Sequence, residues 1–113
     1  MGRALGEFEH FVMLALLQLG DDAYGVTIKD EIEVRTGREI YVGAVYTALS
    51  RLQKNGYVVA ELGEPTAKRG GRRKKYYRLD AAGRDALRQS HLALRGMTAG
   101  IESELDALTE GGA

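Results

Sequence analysis

The side chains most able to do chemistry in this sequence are a cluster of cations. Seven Lys or Arg residues and no acidic residue lie between Pro65 and Leu79, although the 113-residue chain has 16 basic and 16 acidic residues overall. The densest part is GGRRKKYYRL, residues 70–79, in which two glycines precede four cations and two tyrosines follow them. The chemistry open to such a cluster is the binding of phosphate groups. A local excess of positive charge permits nucleic-acid binding by an otherwise neutral molecule.

Other kinds of chemistry have little support. The chain has no cysteine, which excludes disulfides, thiol redox chemistry and cysteine-ligated zinc. His10 and His91 lie far apart in sequence, with no third ligand at metal spacing. No Ser/His/Asp order fits a catalytic triad, and Gly70 and Gly71 precede a predicted strand rather than the helix that follows a phosphate loop. We therefore predict no enzymatic activity, no metal site and no cofactor.

Length and hydropathy favour a cytoplasmic protein with a single domain. A chain of 113 residues supports one modest hydrophobic core. No apolar run approaches the roughly 18 residues that a membrane span requires. The start, MGRALGEFEH, lacks a signal-peptide pattern. We expect a cytoplasmic location and no membrane partner.

The first helix is predicted over residues 4–19. One apolar stripe at three- and four-residue spacing faces the core. A second stripe on another side consists of Phe11, Leu14 and Leu17. Because a small domain has one core, this second stripe predicts contact with something outside the domain.

Two more helices are predicted over residues 24–36 and 42–55, and Gly37 between them occupies the position of a left-handed C-terminal cap. The buried stripe of the third helix is Val42, Val45, Leu49 and Leu52. Its exposed face is small, polar and basic with no acidic residue, which suits a helix that lies in a DNA major groove. That face consists of Gly43, Ala44, Tyr46, Thr47, Ser50, Arg51 and Lys54. Two alternatives remain: Tyr46 could pack on the second helix, and Arg51 and Lys54 could be ordinary surface charges.

A β-hairpin with a basic tip is predicted next. YVVAEL, residues 57–62, and KYYRL, residues 75–79, are short β-branched or aromatic runs. Neighbouring strand residues point to opposite faces, so one of Tyr76 and Tyr77 packs on the core and the other stays near the surface. The residues between the strands form a wing whose predicted DNA contacts are Lys68, Arg69, Gly70, Gly71, Arg72, Arg73, Lys74 and Lys75.

One long helix is predicted over residues 81–108, with Asp80 as its N-cap. Leucine or isoleucine recurs in it at seven-residue intervals, and nothing after the helix could cover that seam, which predicts packing against another chain. Gly96 and Gly100 lower its helical propensity and could kink it. Together with the second stripe of the first helix, the predicted dimer interface is Phe11, Leu14, Leu17, Leu87, Leu94, Met97, Ile101, Leu105 and Leu108.

The order of elements predicts a fold that is mainly α with a small β-hairpin, an α+β protein. A winged helix-turn-helix occupies residues 1–80, and a C-terminal dimerisation helix occupies residues 81–113 within the same compact unit. Three blocks then resemble the signatures of PadR-type transcriptional regulators: GDDAYGVTIKDEI, VGAVYTALSRLQKNGYV and GGRRKKYYRLDAAGR. The chain length is similar to the short subfamily with a single C-terminal helix. The chain departs from the usual pattern at Ala44, Thr47 and Arg73, where many members have Thr, Pro and Pro.

The resemblance implies a homodimer formed through the first and last helices, repressor function, and in some members release by a small aromatic or drug-like ligand. Phe8, Phe11 and Met97 are the side chains that we consider for such a ligand site, although Phe8 and Phe11 also fit the core. We predict a homodimeric regulator that binds double-stranded DNA at an inverted-repeat operator. The alternatives are a winged-helix protein-interaction module and a small-molecule-binding protein without DNA contact. A MarR-like regulator shares the hairpin followed by an N-capped helix, but this chain is too short for that type.

Overall fold

Three helices, a β-hairpin and two further helices follow one another along the chain. The computed structural model describes residues 5–63 and 73–111. Its elements are α1 Glu7–Leu19, α2 Gly25–Thr36, α3 Val42–Lys54, β1 Val58–Leu62, β2 Lys75–Leu79, α4 Ala81–Thr98 and α5 Glu102–Gly111, with a 3₁₀ turn at Gly20–Asp22 between α1 and α2. This order confirms the predicted fold class of helices with a small β-hairpin.

The hydrophobic core lies where α1, α2 and α3 meet. The hairpin and the first turns of α4 close it from one side, since α1 contacts both β2 and α4. Met13 of α1 is fully buried there. The core consists of Val12, Met13, Ala15, Leu16, Ala23, Ile28, Ile32, Val45, Ala48, Leu49, Leu52, Val58, Tyr77, Leu79 and Leu87.

The ends of α2 and α3 show what the sequence signals predict and where they fail. Gly37 adopts the left-handed conformation, with φ of 72°, and its N–H donates to the carbonyl of Glu33. The predicted burial of Val42 is wrong, because its side chain is 36% exposed. Val42 is the first residue of α3 and lies beyond the core, whereas Ala48, in the middle of the helix, is buried.

The two strands pair antiparallel, with Val58 opposite Leu79 and Leu62 opposite Lys75. Alternation along β2 buries Tyr77 and leaves Tyr76 only partly covered, which confirms the predicted division of the tyrosine pair. The main chain of the same strand is tied to the helical part of the fold. The Tyr77 N–H donates to the carbonyl of Ala23, just before α2, over 2.9 Å.

The prediction of one continuous last helix is wrong. α4 ends at Thr98, and α5 begins at Glu102. Gly100, between them, has a φ of 87°, a left-handed conformation that residues with a β-carbon disfavour. The seven-residue spacing of apolar residues continues across this break, but the helix does not, because the spacing records which residues are apolar and not the backbone conformation between them.

The seam of the last helix also differs from the prediction at its first position. Leu87 is 4% exposed and belongs to the core of its own protomer, so it is not available to a partner chain. The other members are exposed: Leu94, Met97, Ile101, Leu105 and Leu108. Leu87 is buried because the first part of α4 packs on α1 and β2, whereas the exposed members lie beyond that contact.

Candidate nucleic-acid interface

The exposed face of α3 carries the side chains that the sequence predicts for it. Gly43, Ala44, Tyr46, Thr47, Ser50, Arg51 and Lys54 are all exposed. Arg51 and Lys54 lie in the last turn of α3. Within the described residues neither forms an ion pair. Both cations are therefore available to a bound anion. Within the face, the Thr47 hydroxyl donates to the carbonyl of Gly43 over 3.0 Å.

A glycine at the start of α2 determines how closely α3 approaches. A β-carbon on Gly25 would overlap the phenol ring of Tyr46, so the absence of a side chain there creates the space that the ring occupies. Tyr46 nevertheless remains 46% exposed. It thus packs on the second helix, the alternative that the sequence left open, and still presents part of its ring to solvent.

The turn before α2 is held by a short network. The Thr27 hydroxyl donates to the carbonyl of Asp22 over 2.6 Å and lies 3.0 Å from the N–H of Tyr24. The Thr27 hydroxyl thereby gives the Tyr24 N–H, at the N-terminus of α2, a partner that the helix itself does not supply. Because Tyr77 of β2 also bonds to Ala23, the turn joins α2 to the hairpin.

The described part of the wing carries three cations in different surroundings. Arg73 and Lys75 are exposed. Lys74 is partly buried, with its Nζ 4.1 Å from the ring centroid of Tyr24. The Nζ of Lys75 lies 5.8 Å from the ring centroid of Tyr77. The other predicted wing contacts, Lys68, Arg69, Gly70, Gly71 and Arg72, lie outside the described residues.

Tyr77 is neutral in its position between the hairpin and α3. Burial raises the pKa of its phenol, and the nearby phenol of Tyr46 raises it further. A neutral phenol can be buried in the core without the cost of a buried charge.

The contact between α1 and α4 contains a histidine pair. The Nδ1 of His10 lies 3.3 Å from the Ser90 hydroxyl, and its Nε2 is buried without a hydrogen-bond partner in the described part of the chain. Burial lowers the pKa of His10, and the neighbouring His91 lowers it further. The neutral form of the His10 imidazole is therefore favoured.

The three residues considered for a ligand site do not line one cavity in the described structure. Phe11 borders a groove of about 210 Å³ between α1 and α2, together with Leu14 and Ile32. The guanidinium carbon of Arg38 lies over the ring of Phe11, 5.2 Å from the ring centroid. Phe8 packs on the core instead. Met97, 79% exposed, lies on the last turn of α4.

A metal site and a membrane span are both absent from residues 5–63 and 73–111. No group of three or more His, Asp or Glu side chains could hold a metal ion in residues 5–63 and 73–111. None of the helices in this part of the chain is long and apolar enough to span a membrane.

Helices α2 and α3, the connection between them and the hairpin that follows make a winged helix-turn-helix. The sequence profile described as the transcriptional regulator PadR-like family matches residues 13–89. The chain belongs to this PadR-like family. Its members are transcriptional regulators rather than enzymes, so the predicted resemblance and the predicted absence of enzymatic activity are both confirmed.

Solved structures agree with this membership. A transcriptional regulator from Clostridium thermocellum is 30% identical, with a TM-score of 0.66 over 85% of this PadR-like chain and 88% of that one. A PadR family regulator from Eggerthella lenta is 26% identical, with a TM-score of 0.66 over 88% and 86% of the two chains. A PadR family regulator from Clostridium difficile, 23% identical, shares the fold, with a TM-score of 0.70 over 87% and 98%. No curated protein matches the chain.

Family membership makes this PadR-like chain a DNA-binding transcriptional regulator. The assignment of individual residues to DNA, to a partner chain or to a ligand stays a prediction. Sequence reasoning did not identify two residues on which the geometry depends, Gly25 and Tyr24. The signal available was only that a glycine follows a tyrosine at the start of a helix, which does not specify their partners.

Proposed function

We propose that the regulator binds an inverted-repeat operator as a homodimer, with α3 of each protomer in a major groove and the wing on the adjacent backbone. The observation that carries the proposal is the exposed face of α3. It combines small residues and hydroxyl groups with two cations that no carboxylate among residues 5–63 and 73–111 pairs, and contact with Gly25 fixes it on α2. Base edges and phosphates can approach such a face without repulsion.

Two groups of residues would contact the DNA in different roles. The α3 face would specify sequence through Ser50, Arg51 and their neighbours, because only base contacts carry sequence information. The wing would supply affinity through contacts with phosphates. The full set proposed is Gly43, Ala44, Tyr46, Thr47, Ser50, Arg51, Lys54, Lys68, Arg69, Gly70, Gly71, Arg72, Arg73, Lys74 and Lys75.

Apolar side chains that are exposed to solvent in the single protomer support the homodimer. Leu14 and Leu17 of α1 are 38% and 58% exposed, and Leu94 of α4 is 58% exposed. Exposed apolar surface of this extent is typical of an interaction site. The proposed interface consists of Phe11, Leu14, Leu17, Leu94, Met97, Ile101, Leu105 and Leu108.

Two-fold symmetry then fixes the form of the operator. The two α3 helices would meet half-sites about 10 to 10.5 base pairs apart, or a multiple of that spacing. We further propose that the bound dimer represses transcription and that a small aromatic or drug-like effector releases it. The groove beside Phe11 and Leu14 supports an effector site, since both side chains also belong to the proposed interface.

A winged helix that binds only protein would present apolar residues on α3. The exposed face of α3 is instead polar and basic, which favours DNA. A small-molecule-binding protein without DNA contact would not bind DNA, so DNA binding that depends on salt concentration would exclude this alternative.

The test is binding to the DNA upstream of the protein's own gene. Arg51→Ala should weaken binding to the specific site by about 1–3 kcal/mol and leave binding to random DNA near the wild-type value. Arg35→Ala is the matched control, because Arg35 lies on α2 and pairs with Glu31. Equal losses on both DNAs would assign Arg51 to phosphates, and no binding by the wild-type protein to either DNA would overturn the proposal.

A further inference from the structure

Lys74 is the one cation of the described wing that is partly withdrawn from solvent. Its Nζ lies 4.1 Å from the ring centroid of Tyr24, a distance at which an ammonium group is attracted to the face of an aromatic ring. Within the described residues Lys74 forms no ion pair. The aromatic ring is thus the partner of this charge.

Tyr76 approaches the same ring from the same strand. Its ring centroid lies 5.6 Å from that of Tyr24 with an angle of 81° between the planes, an edge-to-face contact. Lys74 and Tyr76 are two residues apart, so they extend from the same face of the hairpin. Gly63, the residue after β1, leaves room for this arrangement, since a β-carbon there would overlap the Tyr76 ring.

Tyr24 is itself fixed to the helices. It is the N-cap residue of α2, its N–H lies 3.0 Å from the Thr27 hydroxyl, and its carbonyl accepts a hydrogen bond from the N–H of Ile28. At Gly25, the next residue, α2 contacts the Tyr46 ring of α3. The ring of Tyr24 therefore joins the C-terminal end of the wing to the contact between Gly25 and Tyr46, which sets the position of α3.

We propose that Tyr24 is a positioning residue for DNA binding, which holds Lys74 and Tyr76 so that the wing and α3 reach the DNA together. The role rests on the proposed function, because it requires that the wing contact DNA. Lys74 then contacts the DNA from the position that the ring gives it, beside the exposed wing cations Arg73 and Lys75. A wing without this attachment would have to be ordered during binding, at a cost in affinity.

The attachment can be tested without DNA. Acetylation of the full-length protein by acetic anhydride, followed by mass spectrometry, measures the reactivity of Lys74 against that of Lys54, which is exposed on α3. Lys74 should react several-fold faster in Tyr24→Leu than in the wild type, because leucine has no ring to hold the ammonium group. Tyr24→Phe keeps the ring and should match the wild type. Equal Lys74 reactivity in all three proteins would overturn the proposal.

The functional role is tested by operator affinity in a double-mutant cycle. Tyr24→Leu should weaken binding about three-fold for each wing and hence about ten-fold for a dimer, whereas Tyr24→Phe should stay within about two-fold of the wild type. Lys74→Gln should cause a loss similar to that of Tyr24→Leu, and the double variant should be no weaker than either single variant. Additive losses would mean that the two residues act separately and would overturn the role of Tyr24.

The outcomes separate this role from the proposed function. Wild-type protein that binds no DNA would overturn both, whatever the reactivity of Lys74. Wild-type binding together with additive losses would overturn only the role of Tyr24. Lys74→Gln changes a side chain outside the core, so it tests the pair even if Tyr24→Leu unfolds, an event that thermal unfolding would reveal.

Discussion

Gly83 of α4 lies directly against the carbonyl group of Tyr57, the residue that precedes β1. A β-carbon on Gly83 would overlap the carbonyl oxygen and approach the Tyr57 Cα to 3.1 Å. The same carbonyl accepts a hydrogen bond from the N–H of Asp80, the N-cap residue of α4, over 2.9 Å. The first turn of α4 is thereby held on the hairpin by its main chain.

Gly83→Ala should therefore destabilise the protein by about 1–3 kcal/mol, because the new methyl group meets backbone that cannot rotate away. Thermal or urea unfolding measures the loss. Gly96→Ala is the control in the same helix, since a β-carbon there would meet no described atom within 4 Å beyond its chain neighbours and the adjacent backbone of α4. It should stabilise α4 by up to about 1 kcal/mol. Equal effects of the two substitutions would contradict the close contact at Tyr57.

Leu94→Glu and Ile101→Glu should each weaken the dimer strongly. Either change would bury a carboxylate against the apolar surface of the partner, at a cost of several kcal/mol. Sedimentation should show monomers or aggregates. Leu92→Glu is the matched control, because Leu92 is 46% exposed and lies on the opposite side of α4 from Leu94. Unchanged dimers in the first two variants would place the interface elsewhere.

Arg73→Ala should make DNA binding less sensitive to salt. Each phosphate contact contributes about 0.9 to the slope of log affinity against log salt concentration, so the slope should fall by about 1.8 for a dimer on any DNA sequence. Arg78→Ala is the control on the same hairpin, because the Nε of Arg78 lies 3.8 Å from a carboxylate oxygen of Glu61. A slope unchanged by Arg73→Ala in a folded protein would remove Arg73 from the DNA contacts.

Stability should decrease as the pH falls below about 7. The pKa of His10 is lowered in the folded protein, first by burial and then by His91. The unfolded chain therefore takes up a proton near pH 6.5 that the folded chain resists, so acid favours unfolding down to the folded pKa. His10→Gln should reduce the loss of melting temperature between pH 7.5 and 5.5. The same loss in the variant would show that other groups cause it.

The local features of this protein follow from its sequence alone. Apolar spacing predicts α1 to α3 because every third or fourth residue of a helix shares a face. Gly37 ends α2 as predicted, and alternation along β2 buries Tyr77 and not Tyr76. The basic, acid-free face of α3 is also a local property, since it depends only on which residues share one side of a single helix.

Contacts between distant segments depend on the tertiary structure. The spacing of Leu87, Leu94 and Ile101 is regular, yet only packing against α1 and β2 buries the first and leaves the other two exposed. Tyr24 and Lys74 are fifty positions apart, and nothing in either segment specifies that a ring and an ammonium group will meet. Their contact exists because the bond from Tyr77 to Ala23 brings the hairpin to the start of α2. Periodicity identifies the buried side of each element, whereas the partner of a side chain is set by how the elements pack.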